Sequence, residues 1–165
     1  MLILAPNSIM RHLFIAFLLF IAFPSFCQLS GKVVAISDGD TFTLLTASKK
    51  QVKIRLHGID CPESKQEFGN VAKKFLSDLI FNKTVSVKEK NIDRYGRTIG
   101  IVSIGSVNVN EKLLSAGLAW HYRKYDKNKQ WDVLEEQARR NKKGLWINSN
   151  AIAPWVYRQS KRETH

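Results

Sequence analysis

The stretch RLHGIDCPE, residues 55–63, sets Arg55, Asp60 and Glu63 close together around a glycine and a proline. Two further charged motifs flank it in the chain: DGDT (38–41), with Asp38 and Asp40, and DRYGR (93–97), which ends on Arg97. Carboxylate oxygens gathered in one place attract Ca²⁺ or Mg²⁺ more readily than Zn²⁺. Without a cation, two such acids raise each other's pKa. Two arginines, a metal and a base are what phosphodiester hydrolysis requires. The phosphate is gripped at two oxygens, its growing charge is neutralised, and a water is deprotonated. Taken singly, each piece has a plainer reading. SDGD is an ordinary turn in which Asp38 caps its own backbone, Arg55 is an ion pair, and Arg97 is a solvated loop residue. The chemistry depends on whether the chain brings the pieces together.

The elements that would position them follow from periodicity. KVVAI (32–36), TFTLL (41–45) and VKIRL (52–56) are β-branched with a period near two, which predicts three strands. Phe68, Val71, Ala72, Phe75, Leu76, Leu79 and Ile80 recur at helical spacing, and Asn82 ends that helix. TVSVKE (84–89) and TIGIVSI (98–104) return to strand periodicity. A short helix is expected from Asn110 to Ala116 with Gly117 at its end, and a last one from about Trp131 to Lys142. The tail RQSKRETH reads as frayed. Five short strands with a helix between the third and fourth fit an α+β class: a five-stranded OB-fold β-barrel with about three helices. In a hairpin centred near Ser48 and Lys49, Thr41 falls opposite about Leu56. Asp40 and Asp60, 20 residues apart, then share one end of the barrel.

The 165 residues suffice for one domain. Arg11 followed by the apolar run LFIAFLLFIAF (13–23) predicts a secretory signal over residues 1–27, with an uncleaved anchor as the alternative. The run is shorter than the roughly 20 residues that a membrane span needs. Residues 28–148 then form the folded domain and 149–165 a C-terminal extension. Residues 1–27 hold one Arg and no acid, so 25 Lys and Arg face 14 Asp and Glu in the remainder, a net +11. That excess points to a polyanionic partner: nucleic acid, anionic lipid or cell-wall polymer. Cys61 would be left without a second cysteine once Cys27 departs, so no disulfide framework is indicated.

In this order and spacing, DGDT, RLHGIDCPE and DRYGR resemble the staphylococcal nuclease-like (thermonuclease) family, and VNEKLLSAGLAWHY (109–122) continues the likeness. The match runs over roughly residues 29–147. The resemblance implies Ca²⁺ held by Asp40, Asp60 and the backbone carbonyl of Cys61, a position where the best-known member has Thr. It implies Glu63 as the general base, Arg55 and Arg97 as the phosphate clamp, and Asp38 as an acid just outside the metal's ligands. Trp120, Tyr122 and Tyr125 are interleaved with His121, Arg123, Lys124 and Lys127. Such a mixture of aromatic faces and cations suits single-stranded nucleic acid. Tyr125 lies close to a nucleotide-contacting tyrosine of the family, and Tyr122 is displaced from one by a single position.

The reading is therefore an exported, Ca²⁺-dependent nuclease, secreted or periplasmic and monomeric, acting on DNA or RNA that is single-stranded or locally melted. A non-catalytic OB module for single strands is the main alternative, although Arg55, Glu63 and Arg97 are all present. His-metal and phosphohistidine chemistries lack an H-E-x-x-H or H-x-K motif among the four histidines. A cationic adhesin leaves the acid cluster unexplained.

Overall fold

The computed structural model describes residues 28–163; the proposed signal segment lies outside the described residues. Strands β1 (Leu29–Ile36), β2 (Thr41–Thr46), β3 (Gln51–Leu56), β5 (Thr84–Ile92) and β6 (Thr98–Ile104) build the barrel. Short strands β4 (Ile59–Asp60), β7 (Val107–Asn108) and β8 (Trp120–His121) are accessory pairs. The sheet runs β3-β2-β1-β5-β6, and a parallel pairing of β3 with β6 closes it. This is the five-stranded closed barrel expected of an OB-fold.

Alternation along the strands turns Val33, Phe42, Leu44, Ile54, Leu56, Val85, Val87 and Val102 into a fully enclosed interior. Helix α1 (Gly69–Ile80) crosses between β4 and β5 and buries Ala72, Leu76 and Ile80 in the same core. Helix α2 (Val109–Ser115) adds Val109, Leu113 and Leu114. Burying each large aliphatic side chain contributes roughly 1.5–3 kcal/mol, so this core can offset the cost of the buried acids at one end of the barrel.

Two expectations need correction. Thr41 pairs with Arg55 rather than Leu56, because the connecting turn is Thr46–Lys50, with Lys49 in the left-handed region at φ 59°. The one-residue difference puts Asp40 beside Leu56, whose N–H donates to the Asp40 carbonyl. Four α-helices occur among the described residues, in keeping with the α+β class, and the correction concerns the tail. After α3 (Lys129–Arg140), the tail expected to fray forms α4 (Pro154–Glu163). Pro154 is buried and serves as a first helical residue, where its missing N–H costs nothing.

Two glycines allow the close approaches that shape the site end. A Cβ on Gly39 would lie 2.7 Å from the Cβ of Cys61 and 2.8 Å from that of Ala72, so the DGD turn packs directly on β4 and α1. A Cβ on Gly69 would meet the Glu63 carbonyl at 1.9 Å, which fixes how closely α1 starts beneath that residue.

Strand β4, which carries Asp60, is braced from behind. Ile59 pairs with His121 and Asp60 with Trp120. His121 is buried between two carboxylates, with Nε2 at 3.1 Å from Asp126 and Nδ1 at 2.8 Å from Asp132. Asp126 also bonds His57, and Arg123 joins Asp132 to the buried Glu135, which Arg139 holds from the other side. The His121 hydrogen bond holds the Asp132 carboxyl below the usual carboxylate range. At Asp126 burial pushes upward, but the Asn128 N–H and the two histidines outweigh it and lower the pKa. Carboxyls depressed on folding stabilise the protein above the unfolded value near about 4 and lose that contribution as pH falls through their folded values. Asp132→Asn is therefore expected to cost about 1 kcal/mol at pH 7, allowing for its partial exposure. The difference from the parent protein should shrink in melts as pH falls through that lowered folded value. A gap that persists at low pH would show the carboxylate charge to be irrelevant.

Candidate active site

Asp40 closes the DGD turn, Arg55 is the penultimate residue of β3, and Asp60 sits on β4, so three separate elements converge at one end of the barrel. Arg55 joins the two acids, with Nη1 at 2.5 Å from Asp40 Oδ1 and Nη2 at 2.6 Å from Asp60 Oδ1. Thr41 Oγ1 donates to the same Asp40 oxygen, and the Cys61 backbone N–H donates to Asp40 Oδ2. Asp38 uses its side chain to accept from the Asp40 N–H, which is the plain capping turn, and it also stands near the acid pair.

Burial works against the charge of both acids. Burial raises Asp40 to about 6, and Asp38 adds to the rise, even though Arg55 opposes it. Burial likewise raises Asp60 against the pull of its arginines. Burial also pushes the Arg55 guanidinium toward neutrality, but Asp40 and Asp60 more than reverse this and leave it firmly charged. The Cys61 thiol is held well above its usual range by burial and by the surrounding acids. A buried, protonated thiol is neither nucleophile nor metal ligand, so only the Cys61 carbonyl remains for such a role.

The remaining predicted residues are placed as follows. Glu63 lies at the rim with its side chain 40% exposed, and its oxygen is 2.7 Å from Arg158 Nη1. Arg97 is not drawn to the acid pair. It holds Asp93 within its own turn through Nε at 2.8 Å and Nη2 at 2.7 Å, with its guanidinium 5.5 Å from the Tyr95 ring. Tyr122 stacks on Trp155 (4.7 Å between centroids, 9° between planes), and Tyr125 meets Tyr122 edge-on at 4.8 Å. Trp120 packs against Trp146 and Trp155. Tyr125 is exposed and Tyr122 half-buried.

Sequence reasoning missed Arg158 and Trp155. Arg158 donates to Asp60 Oδ2 at 2.7 Å and to Glu63, and more weakly to Asp60 Oδ1 at 3.3 Å. A signal was present in APWVYR: Pro154 marks a helix start, and positions 155 and 158, three apart, share a face.

The donors suit a hard divalent cation. Asp38, Asp40, Asp60 and Glu63 outnumber Arg55 and Arg158, and their oxygens are the ligand type such a cation takes. Among the described residues no cluster of three or more His, Cys, Asp or Glu is gathered in metal-holding geometry, so a cation would draw on two carboxylates and backbone or solvent oxygens.

A closed OB barrel whose one end holds buried carboxylates bridged by a forked arginine fits a class: enzymes that hydrolyse phosphodiesters on this scaffold. Residues 53–148 match the family described as Staphylococcal nuclease homologue, and the chain belongs to that family. It is a nuclease, a phosphodiester hydrolase. It is 38% identical to a micrococcal nuclease of Shigella flexneri over 164 residues, covering 93% of this chain and 94% of that one. An uncharacterized endonuclease of Escherichia coli O157:H7 is 38% identical over 151 residues, 90% and 98% of the two chains. One of Haemophilus influenzae is 40% identical over 131 residues, 79% and 74%.

Proposed function

We propose that the chain is a Ca²⁺-dependent nuclease that cleaves DNA or RNA strands, taking them single or locally melted, as a monomer. The observation that carries this is the buried Asp40–Asp60 pair bridged by Arg55 at the barrel end. Asp40, Asp60 and the Cys61 carbonyl would hold the cation, which when bound neutralises phosphate charge and lowers the pKa of a ligated water. Asp38 supports Asp40 from outside by accepting its backbone N–H. Glu63, at the exposed rim, takes the proton from the attacking water. Arg55 turns its planar fork from the two carboxylates to two phosphate oxygens as charge builds there. Arg97 reaches the phosphate by exchanging Asp93 for it, so it joins the clamp only in the complex. Tyr122 and Tyr125 supply ring faces to the bases beside the cleaved bond. Residues 1–27 export the protein to the periplasm or medium, and residues 28–148 form the catalytic domain, with 149–165 as an extension.

Cleavage of plasmid DNA and of RNA is the test. Excess chelator should abolish cleavage of both, and Ca²⁺ should restore it. Full activity in chelator would sink the metal assignment. Tight binding without cleavage at any Ca²⁺ concentration would instead favour the non-catalytic module. Mg²⁺ is expected to support less turnover, because its strict octahedral shell suits this sparse donor set poorly.

A further inference from the structure

Helix α4 brings a second arginine to the acid cluster. Arg158 lies across Asp60 from Arg55, and the two guanidinium groups share Asp60 Oδ1 at 3.3 and 2.6 Å. They are not equivalent. Arg55 rises from the floor with its side chain 18% exposed, whereas Arg158 is 35% exposed and bridges inward-facing Asp60 to rim-lying Glu63. Asp60 itself is fully buried, and Arg158 covers it on the side that faces Glu63. One turn earlier on the same helix, Trp155 stacks on Tyr122 and stands edge-on to Trp120. The helix is fastened at its start by buried Ala153 and Pro154, and by Gln66 donating to the Ile152 carbonyl.

A guanidinium on both oxygens of Asp60 and a divalent cation on the same carboxylate repel each other and compete for one negative charge. When the cation takes Asp60, Arg158 loses its strongest partner while its helix stays anchored by Trp155. Its fork is then left at the rim beside Glu63, facing the approaching strand. We propose that Arg158 is a substrate-binding arginine. It pairs with Asp60 and Glu63 in the free enzyme and transfers to a backbone phosphate of the nucleic acid once a divalent cation occupies the acid pair, with Trp155 extending the Tyr122–Tyr125 surface for the neighbouring base. This rests on the nuclease reading above and adds to it a phosphate contact from outside the matched 53–148 segment.

The test compares Arg158→Gln and Arg158→Lys, both in a Glu63→Gln background that blocks turnover. Binding of a fluorescent single-stranded oligodeoxynucleotide in Ca²⁺ is followed by anisotropy across salt concentrations. Arg158→Gln is expected to weaken binding about 10-fold and to reduce the slope of log affinity against log salt by roughly 0.7, the share of one phosphate contact on a single strand. Arg158→Lys, which keeps the charge, should keep the slope. With Glu63 restored, Arg158→Gln should cleave more slowly than the parent. If Arg158→Gln fails to fold, Arg158→Met keeps the packing of the stem and takes its place. An unchanged salt slope would mean that Arg158 only fastens the helix. Faster cleavage by Arg158→Gln would mean that the helix merely covers the site. Either result overturns the proposal while leaving the nuclease reading intact. That reading fails separately, if the chain with Arg158 and Glu63 in place cleaves nothing in Ca²⁺.

Discussion

Arg55→Lys is expected to lower kcat about 10³-fold, which corresponds to roughly 4 kcal/mol of lost transition-state stabilisation. The charge survives this exchange but the planar fork does not. Arg55 now spends its two terminal nitrogens on two different carboxylates, Asp40 and Asp60, and an ammonium reaches only one of them well. On the substrate the same geometry grips two phosphate oxygens, and lysine again offers a single point of contact. A purely structural ion pair behaves differently, because any fall in turnover would then follow a fall in melting temperature. Measuring kcat beside thermal stability separates the two. Glu63→Gln belongs in the same experiment: its side chain is at the exposed rim, so folding should hardly change while the proton acceptor is lost. Near-normal turnover in both variants would reduce the motif to scaffold.

Asp60→Asn should be nearly as damaging to turnover and more damaging to the fold. The carboxylate is fully buried and is the common partner of Arg55 and Arg158. Removing its charge leaves two guanidinium groups facing one another across a neutral amide, whose NH₂ adds a donor where only acceptors fit. Breaking a buried pair from one side costs about 3–5 kcal/mol, and the low end applies because Arg158 is partly exposed and can swing to Glu63 or solvent. An unfolding free energy lowered by about 3 kcal/mol is expected from denaturant titration, with calorimetric Ca²⁺ binding abolished. Unchanged Ca²⁺ binding would remove Asp60 from the ligand set, even if stability fell as described.

The site was legible where local rules reach it. Alternation in TFTLL and VKIRL predicted the hairpin that carries Asp40 and Arg55 together, and only the register was off by one residue. That slip lies in the turn, where Lys49 takes a left-handed conformation that composition does not announce. The i, i+3, i+4 stripe from Phe68 to Ile80 reproduced α1 because one helix face packs on one core. What escaped was set by distance. Arg158 meets Asp60 across 98 residues of chain, and His121 meets Asp132 only after α3 folds back on β8. No periodicity encodes such meetings. The tail read as frayed because its face is amphipathic only relative to Trp120 and Tyr122, which the barrel must first present.

The parallel closure of β3 on β6 bears on how the chain acquires its shape. Antiparallel neighbours β1–β2 and β2–β3 form through short turns, but Ile54 must find Thr98 across β4, α1 and β5. Loop-closure entropy opposes that step, so barrel completion is expected to be the slow event in folding. Until it happens β3 and β6 both present unsatisfied backbone edges, the template for pairing with another chain. Recovery of soluble protein from denaturant should thus be governed by concentration, with dilution favouring the closed barrel over intermolecular strands.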